Sequence, residues 1–191
     1  SDFMNEMIEE IVLSCQDEID KAINHQLSEY LVIRAGRANP HILDKVFIDY
    51  YGVPTPIKNM ASISVPEARI LAINVWDQSQ VKNVVKAISA ADLGVNPNDD
   101  GKTIRLIFPA LTEERRKEIV KSVKKIAEDT KVAVRGARRD AMDMIKDLEK
   151  NGEISEDERD TYEDNIQKLV DKACDQIDEN SKNKEKEVME V

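Results

Sequence analysis

Apolar residues recur along the chain with two periods, and the switch between them marks its organisation. From Phe3 to about Ile33, the residues Ile8, Ile11, Cys15, Ile19, Ile23, Leu27 and Tyr30 fall at steps of three or four, the spacing that lines one face of an α-helix. This predicts a first long helix, ended by the glycine and proline of Arg34-Ala35-Gly36-Arg37-Ala38-Asn39-Pro40. The same spacing returns from Leu111 to Lys150, a run without proline. There Ile119, Val123, Ile126, then Ala133 or Val134, Ala137, Ala141, Met144 or Ile145, and Leu148 form a heptad-like seam. At 1.5 Å per residue that helix is roughly 60 Å long, too long to be enclosed by one domain of this size. It reads as the spine of an elongated bundle. Thr112 is placed to cap it, and Asn151-Gly152 to stop it. Ser155-Glu156-Asp157-Glu158 reads as a capping box opening a third long helix, with Tyr162, Ile166, Leu169, Ala173 and Ile177 as its stripe. The charged tail from Asn180 is expected to fray.

Between the first two long helices the period becomes two. Lys45 to Tyr51, Lys58 to Val65, Arg69 to Val75 and Ile104 to Phe108 alternate and are rich in β-branched residues, which predicts strands. Gly52-Val53-Pro54-Thr55-Pro56 reads as a turn between the first two. Ser79 to Ala91 predicts a short helix, Ser79 its cap and Val81, Val84, Val85 and Ile88 its buried face. All six prolines lie between Pro40 and Pro109. The expected fold class is therefore α+β: an elongated three-helix bundle, residues 1–35 and 110–191, with a small β/α/β domain inserted as residues 36–109. The chain crosses between the parts twice, and Gly36, Ala38, Pro40, Pro109 and Ala110 are candidate hinge residues; a packed, rigid junction is the alternative.

Composition agrees with long solvated helices: of 191 residues, 35% are charged and 4% aromatic. Cys15 and Cys174 lie far apart on apolar stripes and read as buried free thiols in a reducing cytosol. No apolar run is long enough for a signal peptide or a membrane span, so the expected location is the cytoplasm, with no membrane contact. The chain opens on Ser1, and the residues before Met4 read as a processing product or a cloning remnant. The formal net charge of −10 argues against generic nucleic-acid binding, but its distribution is uneven. Residues 1–33 hold one basic and eight acidic side chains, and 140–191 hold eight and eighteen. By contrast, 113–139 hold ten basic and five acidic residues.

Catalytic chemistry finds little support. Gly94-Val95-Asn96-Pro97-Asn98-Asp99-Asp100-Gly101-Lys102-Thr103 ends like a phosphate-binding loop, but Asn96 stands where its first glycine should, two aspartates would repel phosphate, and a strand follows. As a calcium loop it offers Ile107 where a bidentate acid belongs. A polar hairpin turn is the better reading. His25 and His41, with two distant cysteines, assemble no metal site, and no serine sits in a nucleophile elbow. The expectation is a non-enzyme without cofactor or metal.

What remains is a basic stripe on the spine helix: Lys117, Lys121, Lys124, Lys131, Arg135 and Arg138, interrupted by Glu128. A solvated face balanced by acidic neighbours would explain such a stripe. Two features favour RNA: Arg135 and Arg138 lie one turn apart with Arg139 beside them, and Arg34 and Arg37 form a second cluster. The planar guanidinium suits bidentate phosphate contact. No DNA-reading motif appears, so structured RNA is preferred over DNA.

Arg34 to Pro40, Asp49-Tyr50-Tyr51-Gly52-Val53-Pro54-Thr55-Pro56, Ala91-Asp92-Leu93-Gly94-Val95-Asn96-Pro97, Leu111-Thr112-Glu113-Glu114-Arg115-Arg116-Lys117 and Val132-Ala133-Val134-Arg135-Gly136-Ala137-Arg138-Arg139-Asp140 together resemble the ribosome recycling factor family. Ala35, Asn39 and Gly136 depart from its usual threonine, serine and asparagine. The resemblance implies a two-domain L shape like transfer RNA and a monomer that binds the post-termination 70S-type ribosome against large-subunit ribosomal RNA. It implies that elongation factor G, with GTP, drives subunit splitting through the inserted domain, releasing messenger RNA and deacylated transfer RNA. The implied RNA-contacting residues are Arg34, Arg37, Arg135 and Arg138, to which the charge pattern adds Arg139 and Lys131. The competing expectation is a helical adaptor that binds protein partners through its acidic helices.

Overall fold

A computed structural model describes residues 2–190 of the chain; the expectation about Ser1 lies outside the described residues. Three long helices carry most of the chain: α1 (Asp2–Leu31), α3 (Glu113–Lys150) and α4 (Glu156–Met189). Between α1 and α3 come β1 (Phe47–Tyr50), β2 (Val53–Pro56), β3 (Ala61–Glu67), β4 (Ile70–Val75), α2 (Val81–Ala90), β5 (Pro97–Asp99) and β6 (Thr103–Ile107). By contacts the chain forms two compact units, Ser1–Tyr30 with Lys121–Glu185, and Leu31–Val120 with Lys186–Val191.

In the first unit the three helices bury one seam each. Cys15 and Ile19 of α1, Val134 and Ile145 of α3, and Ile166 and Ile177 of α4 are almost fully buried. Of the paired expectations on α3, Val134 and Ile145 point inward while Ala133 and Met144 are exposed. On α1 the expected stripe is corrected at one position: Leu27 is 42% exposed, and Gln26, at 0%, takes the inward place. A straight helix turns by 3.6 residues, so a seam spaced closer to four drifts off the buried face. Gln26 can be buried because all its polar atoms are used. Its amide donates to Tyr30 Oη at 3.2 Å and to the Ile177 carbonyl at 3.1 Å, and its oxygen accepts from Asn180 Nδ2 at 3.1 Å. Tyr30 Oη in turn donates to the Val123 carbonyl at 2.8 Å. This polar layer ties α1 to both other helices.

The helix ends follow the sequence signals. Thr112 Oγ1 accepts from Arg115 N at 3.0 Å, and Gly152, with φ +74°, lets the backbone of 152–153 return to the last carbonyls of α3. The capping box is reciprocal: Glu158 N donates to Ser155 Oγ and Ser155 N to Glu158 Oε1. The fraying expected from Asn180 is corrected, because α4 continues to Met189. Ser181, Lys184 and Val188 extend its inward face, and Arg116 Nη1 donates to the carbonyls of Val188 and Glu190, which a free helix end would leave to water.

In the second unit a four-stranded antiparallel sheet, ordered β3-β4-β6-β5, packs the buried Val81, Val84 and Ile88 of α2 against Leu71, Ile73, Ile104 and Leu106. Several sequence boundaries shift here. Gly52 to Pro56 is a turn only at its start: Tyr51 and Gly52 adopt positive φ (50° and 83°) as a two-residue hairpin turn, and 53–56 form β2. Counting from the Tyr50–Val53 closing pair, Pro54 and Pro56 fall where a ladder needs no N–H, so proline is tolerated in this strand. Residues 57–59 form a short 3₁₀ turn, which delays β3 to Ala61. Ser79 is not the cap expected; Asp77 accepts from both Ser79 N and Ser79 Oγ and opens a 3₁₀ turn before α2. Between β5 and β6, Asp100 accepts from Lys102 N and Thr103 N, so the carboxylate that resembled part of a phosphate or calcium loop is used by a hairpin turn. Those two bonds hold it below the usual carboxylate range.

Candidate RNA-contact surface

Helix α3, with 38 residues, is about 57 Å long at 1.5 Å per residue. Its cations fall into two groups according to what α4 sets opposite them. Lys124 pairs with Glu185 at 3.5 Å, Lys131 with Asp178 at 2.5 Å, and Arg138 donates from Nε to Gln167 Oε1 at 2.6 Å. Partner numbers fall as α3 advances, the signature of an antiparallel helix pair. These three positions are seven apart and face α4 along one edge. The Lys131 side chain is only 17% exposed and also meets Glu128 at 3.6 Å; its hydrogen bond to Asp178 raises its pKa above the ordinary lysine value. Lys131 is thus committed within the bundle. Lys117 pairs with Glu113 on its own helix at 3.6 Å.

Arg115 pairs with Glu118 at 2.8 Å and Lys125 with Asp129 at 2.9 Å, also on their own helix, whereas the arginines further along are not neutralised. Arg135 and Arg139 are exposed, and among the described residues neither makes a hydrogen bond or an ion pair; Lys121 is the same. Arg138 has only the neutral amide of Gln167, so its charge is uncompensated. Arg135, Arg138 and Arg139 therefore present three guanidinium charges within two turns of a well-formed helix. Near them burial pushes the Cys174 thiol pKa up, while Lys131 and Arg135 pull it down. Burial chiefly raises the Cys15 thiol as well. Gly136 leaves the surface between the arginines low, with an added Cβ only 3.7 Å from the Arg139 guanidinium.

The second expected cluster is in the other unit and behaves differently. Arg34 is half-buried. Its Nη2 donates to the Pro109 carbonyl, and its guanidinium carbon lies 4.9 Å from the centre of the Phe108 ring. Arg37 is exposed and unpaired among the described residues. Of the proposed hinge residues, Ala38 is buried with its N–H on the Ala68 carbonyl at 2.6 Å, Pro40 opens a 3₁₀ turn, and Pro109 is held by Arg34. Gly36 is half-buried and Ala110 exposed. Sequence periodicity put the stripe on one helix but missed Gln167, Asp178 and Glu185. Which α3 cation meets which α4 residue follows from the antiparallel register, for which a single helix carries no signal.

Three long helices drawn from both ends of the chain, an inserted sheet-bearing segment and an uncompensated arginine face define a class of helical, cation-faced proteins with a discontinuous bundle. A family model described as "Ribosome recycling factor" matches residues 26–189. The ribosome-recycling factor of Caldicellulosiruptor saccharolyticus is 58% identical over 176 residues, covering 92% of this chain and 96% of that protein. That of Geobacillus kaustophilus is 56% identical over 185 residues, covering 97% and 100%. A solution structure of the ribosome recycling factor superposes with a TM-score of 0.81 at 40% identity, covering 96% of this chain and 98% of that one. The Thermus thermophilus factor, in models with the E. coli elongation factor G bound to the E. coli post-termination complex, gives a TM-score of 0.66 at 36% identity, covering 96% and 99%. The chain belongs to the ribosome recycling factor family. Among the described residues no helix is long and apolar enough to cross a membrane, and no group of three or more His, Cys, Asp or Glu side chains could hold a metal ion.

Proposed function

We propose that this chain is a non-catalytic translation factor that binds the post-termination ribosome and grips large-subunit ribosomal RNA phosphates through Arg135, Arg138 and Arg139. The observation that carries this reading is selective neutralisation: α4 pairs Lys124 and Lys131, yet leaves the arginine cluster without a carboxylate. An exposed cluster of uncompensated guanidinium groups costs self-repulsion, which phosphate oxygens would relieve in bidentate geometry. Such contacts are independent of base sequence and depend on salt through counterion release.

The relative bound with elongation factor G on a post-termination complex supports a division of labour. The GTPase supplies the energy, and this chain transmits force to separate the subunits and release messenger RNA and deacylated transfer RNA. A long helix with its ends capped and its seam packed suits that task because it bends little. The hinge candidates Gly36, Ala38, Pro40, Pro109 and Ala110 all lie inside the unit that holds 31–120, where the bonds at Ala38 and Pro109 hold the local backbone. Arg37 stays in the proposed RNA set; Arg34 and Lys131, engaged internally, act by holding the scaffold. The test is binding of the full chain to vacant ribosomes across a salt series. Arg135→Ala and Arg139→Ala should each weaken binding and lower the salt slope by about one. An unchanged slope in both, with loss of binding on charge reversal along α4, would favour a protein-binding adaptor instead.

A further inference from the structure

The turn that joins α3 to α4 carries the chain's one asparagine followed by glycine, Asn151-Gly152. Glycine has no Cβ to shield its backbone nitrogen, so that nitrogen can reach the carboxamide of a preceding asparagine. Both residues are exposed, and among the described residues the Asn151 carboxamide makes no hydrogen bond. Nothing on the side-chain side holds the two groups apart. The attacking nitrogen, by contrast, is occupied: Gly152 N–H donates to the Glu149 carbonyl at 2.9 Å. Glu153 N–H donates to the Leu148 carbonyl at 2.8 Å, and Asn151 N–H to that of Asp147 at 2.9 Å. With Gly152 at φ +74°, these bonds close the left-handed turn that ends α3. Two side chains fasten it. Ile154 is buried with Leu148 in the bundle core, and Arg159 of α4 meets the Glu149 carboxylate at 2.8 Å.

We propose that Asn151 is a deamidation site to which access is set by opening of this turn. Once the turn opens, the Gly152 nitrogen gives up its proton to solvent base and bonds to the Asn151 side-chain carbonyl carbon. The carbon–nitrogen bond of the carboxamide breaks and ammonia leaves, closing a cyclic succinimide. Water then adds to either carbonyl of the ring, and ring opening gives aspartate in the normal or the β linkage. Both products oppose the closed turn. Each sets a new carboxylate at the C-terminal end of α3, where the helix dipole is already negative and Asp147, Glu149 and Glu153 stand close in the chain. The β linkage also adds a carbon to the main chain, so Gly152 N and Glu153 N no longer match the carbonyls of Glu149 and Leu148. The reaction consumes only water and does not depend on ribosome binding.

The full chain is incubated in mildly alkaline buffer beside the same chain unfolded in guanidinium chloride, and the peptide holding residue 151 is followed by its mass and by isoaspartate labelling. Conversion is expected first at Asn151, and roughly tenfold or more slower in the folded chain, because the turn must open first. Ile154→Ala should bring the folded rate towards the unfolded one; if that variant fails to fold, Arg159→Gln, which frees the Glu149 carboxylate, takes its place. Asn151→Gln should stop conversion at this site. Equal rates in the folded and unfolded chains, or no acceleration in the folded variant, would show that the turn is no gate. If the folded chain stays unmodified at 151 after the unfolded chain has converted completely, or if another asparagine converts first, the site itself is overturned. The purified product should melt at a lower temperature than the fresh chain; an identical melting curve would overturn the claim that the new linkage breaks the turn.

Discussion

The two compact units solve the problem of register by different means. In the sheet-bearing unit the centre of the core is apolar, with Leu71, Ile73, Ile88, Ile104 and Leu106 at zero exposure and the polar Gln80 buried only where α2 begins. In the bundle Gln26 is equally buried and ties α1 to α4 and, through Tyr30, to α3. Strands have their register set by the hydrogen-bond ladder and by turns such as Tyr51-Gly52, so their core needs only shape. Apolar helix seams allow sliding by a heptad at little cost, and a buried polar layer that is satisfied in only one register removes that freedom. A dry core is enough where the backbone chooses the alignment; a bundle needs a side chain to do it.

The largest effect is expected in the apolar core of the sheet. Leu71→Ala should destabilise the protein by about 2–5 kcal/mol, read by denaturant unfolding, through lost burial and the cavity left behind. A cost below 1 kcal/mol would mean that the sheet does not rely on this packing. Next comes the polar layer. Gln26→Ala strands the Asn180 amide and removes the donor to the Tyr30 hydroxyl, which keeps its bond to the Val123 carbonyl, and should cost about 1–3 kcal/mol. Gln26→Leu should recover part of that stability yet give broadened amide resonances in α1 and α4, as registers interconvert. Sharp, single resonances in Gln26→Leu would show that the layer does not specify alignment.

A smaller effect lies on the exposed side of the bundle. Gly136→Ala should stabilise α3 by about 1 kcal/mol, because the added Cβ makes ordinary contact with the Arg139 guanidinium at 3.7 Å; thermal unfolding reads it. The smallest concerns Lys131, whose pKa is raised in the folded chain. Its pairing is fully present below the unfolded lysine value and is lost as pH rises through the higher folded one. Lys131→Met should therefore flatten the alkaline limb of the stability–pH curve and leave the neutral region nearly unchanged in slope.

Long periodic stretches were legible in the sequence because a helix repeats its signal many times. The caps at Thr112 and Ser155 were equally plain, since capping depends on residues within four positions. The sheet segment was less so. Pro54 and Pro56 looked like a turn, and only their pairing with Asp49 and Phe47 shows that neither occupies a hydrogen-bonded position. Ser79 carries a cap's sequence signal, but Asp77, two residues earlier, uses it as a donor. For the candidate surface, the arginines could be named from sequence, but the separation of Lys131 from Arg135 could not, because Asp178 lies 47 positions beyond Lys131.

Where the long helices run, where they are capped, that a sheet segment interrupts them and that positive charge concentrates on α3 can all be read from the residues in order. Each of these depends on neighbours within a turn or two of the chain. It took the packed chain to fix that Gln26 rather than Leu27 faces inward, that α4 holds together to Met189, that Arg34 is engaged internally, and that Arg135, Arg138 and Arg139 keep uncompensated charge. Those outcomes depend on which side chain stands opposite another across a helix pair or strand end, and that is settled by packing between segments distant in the chain.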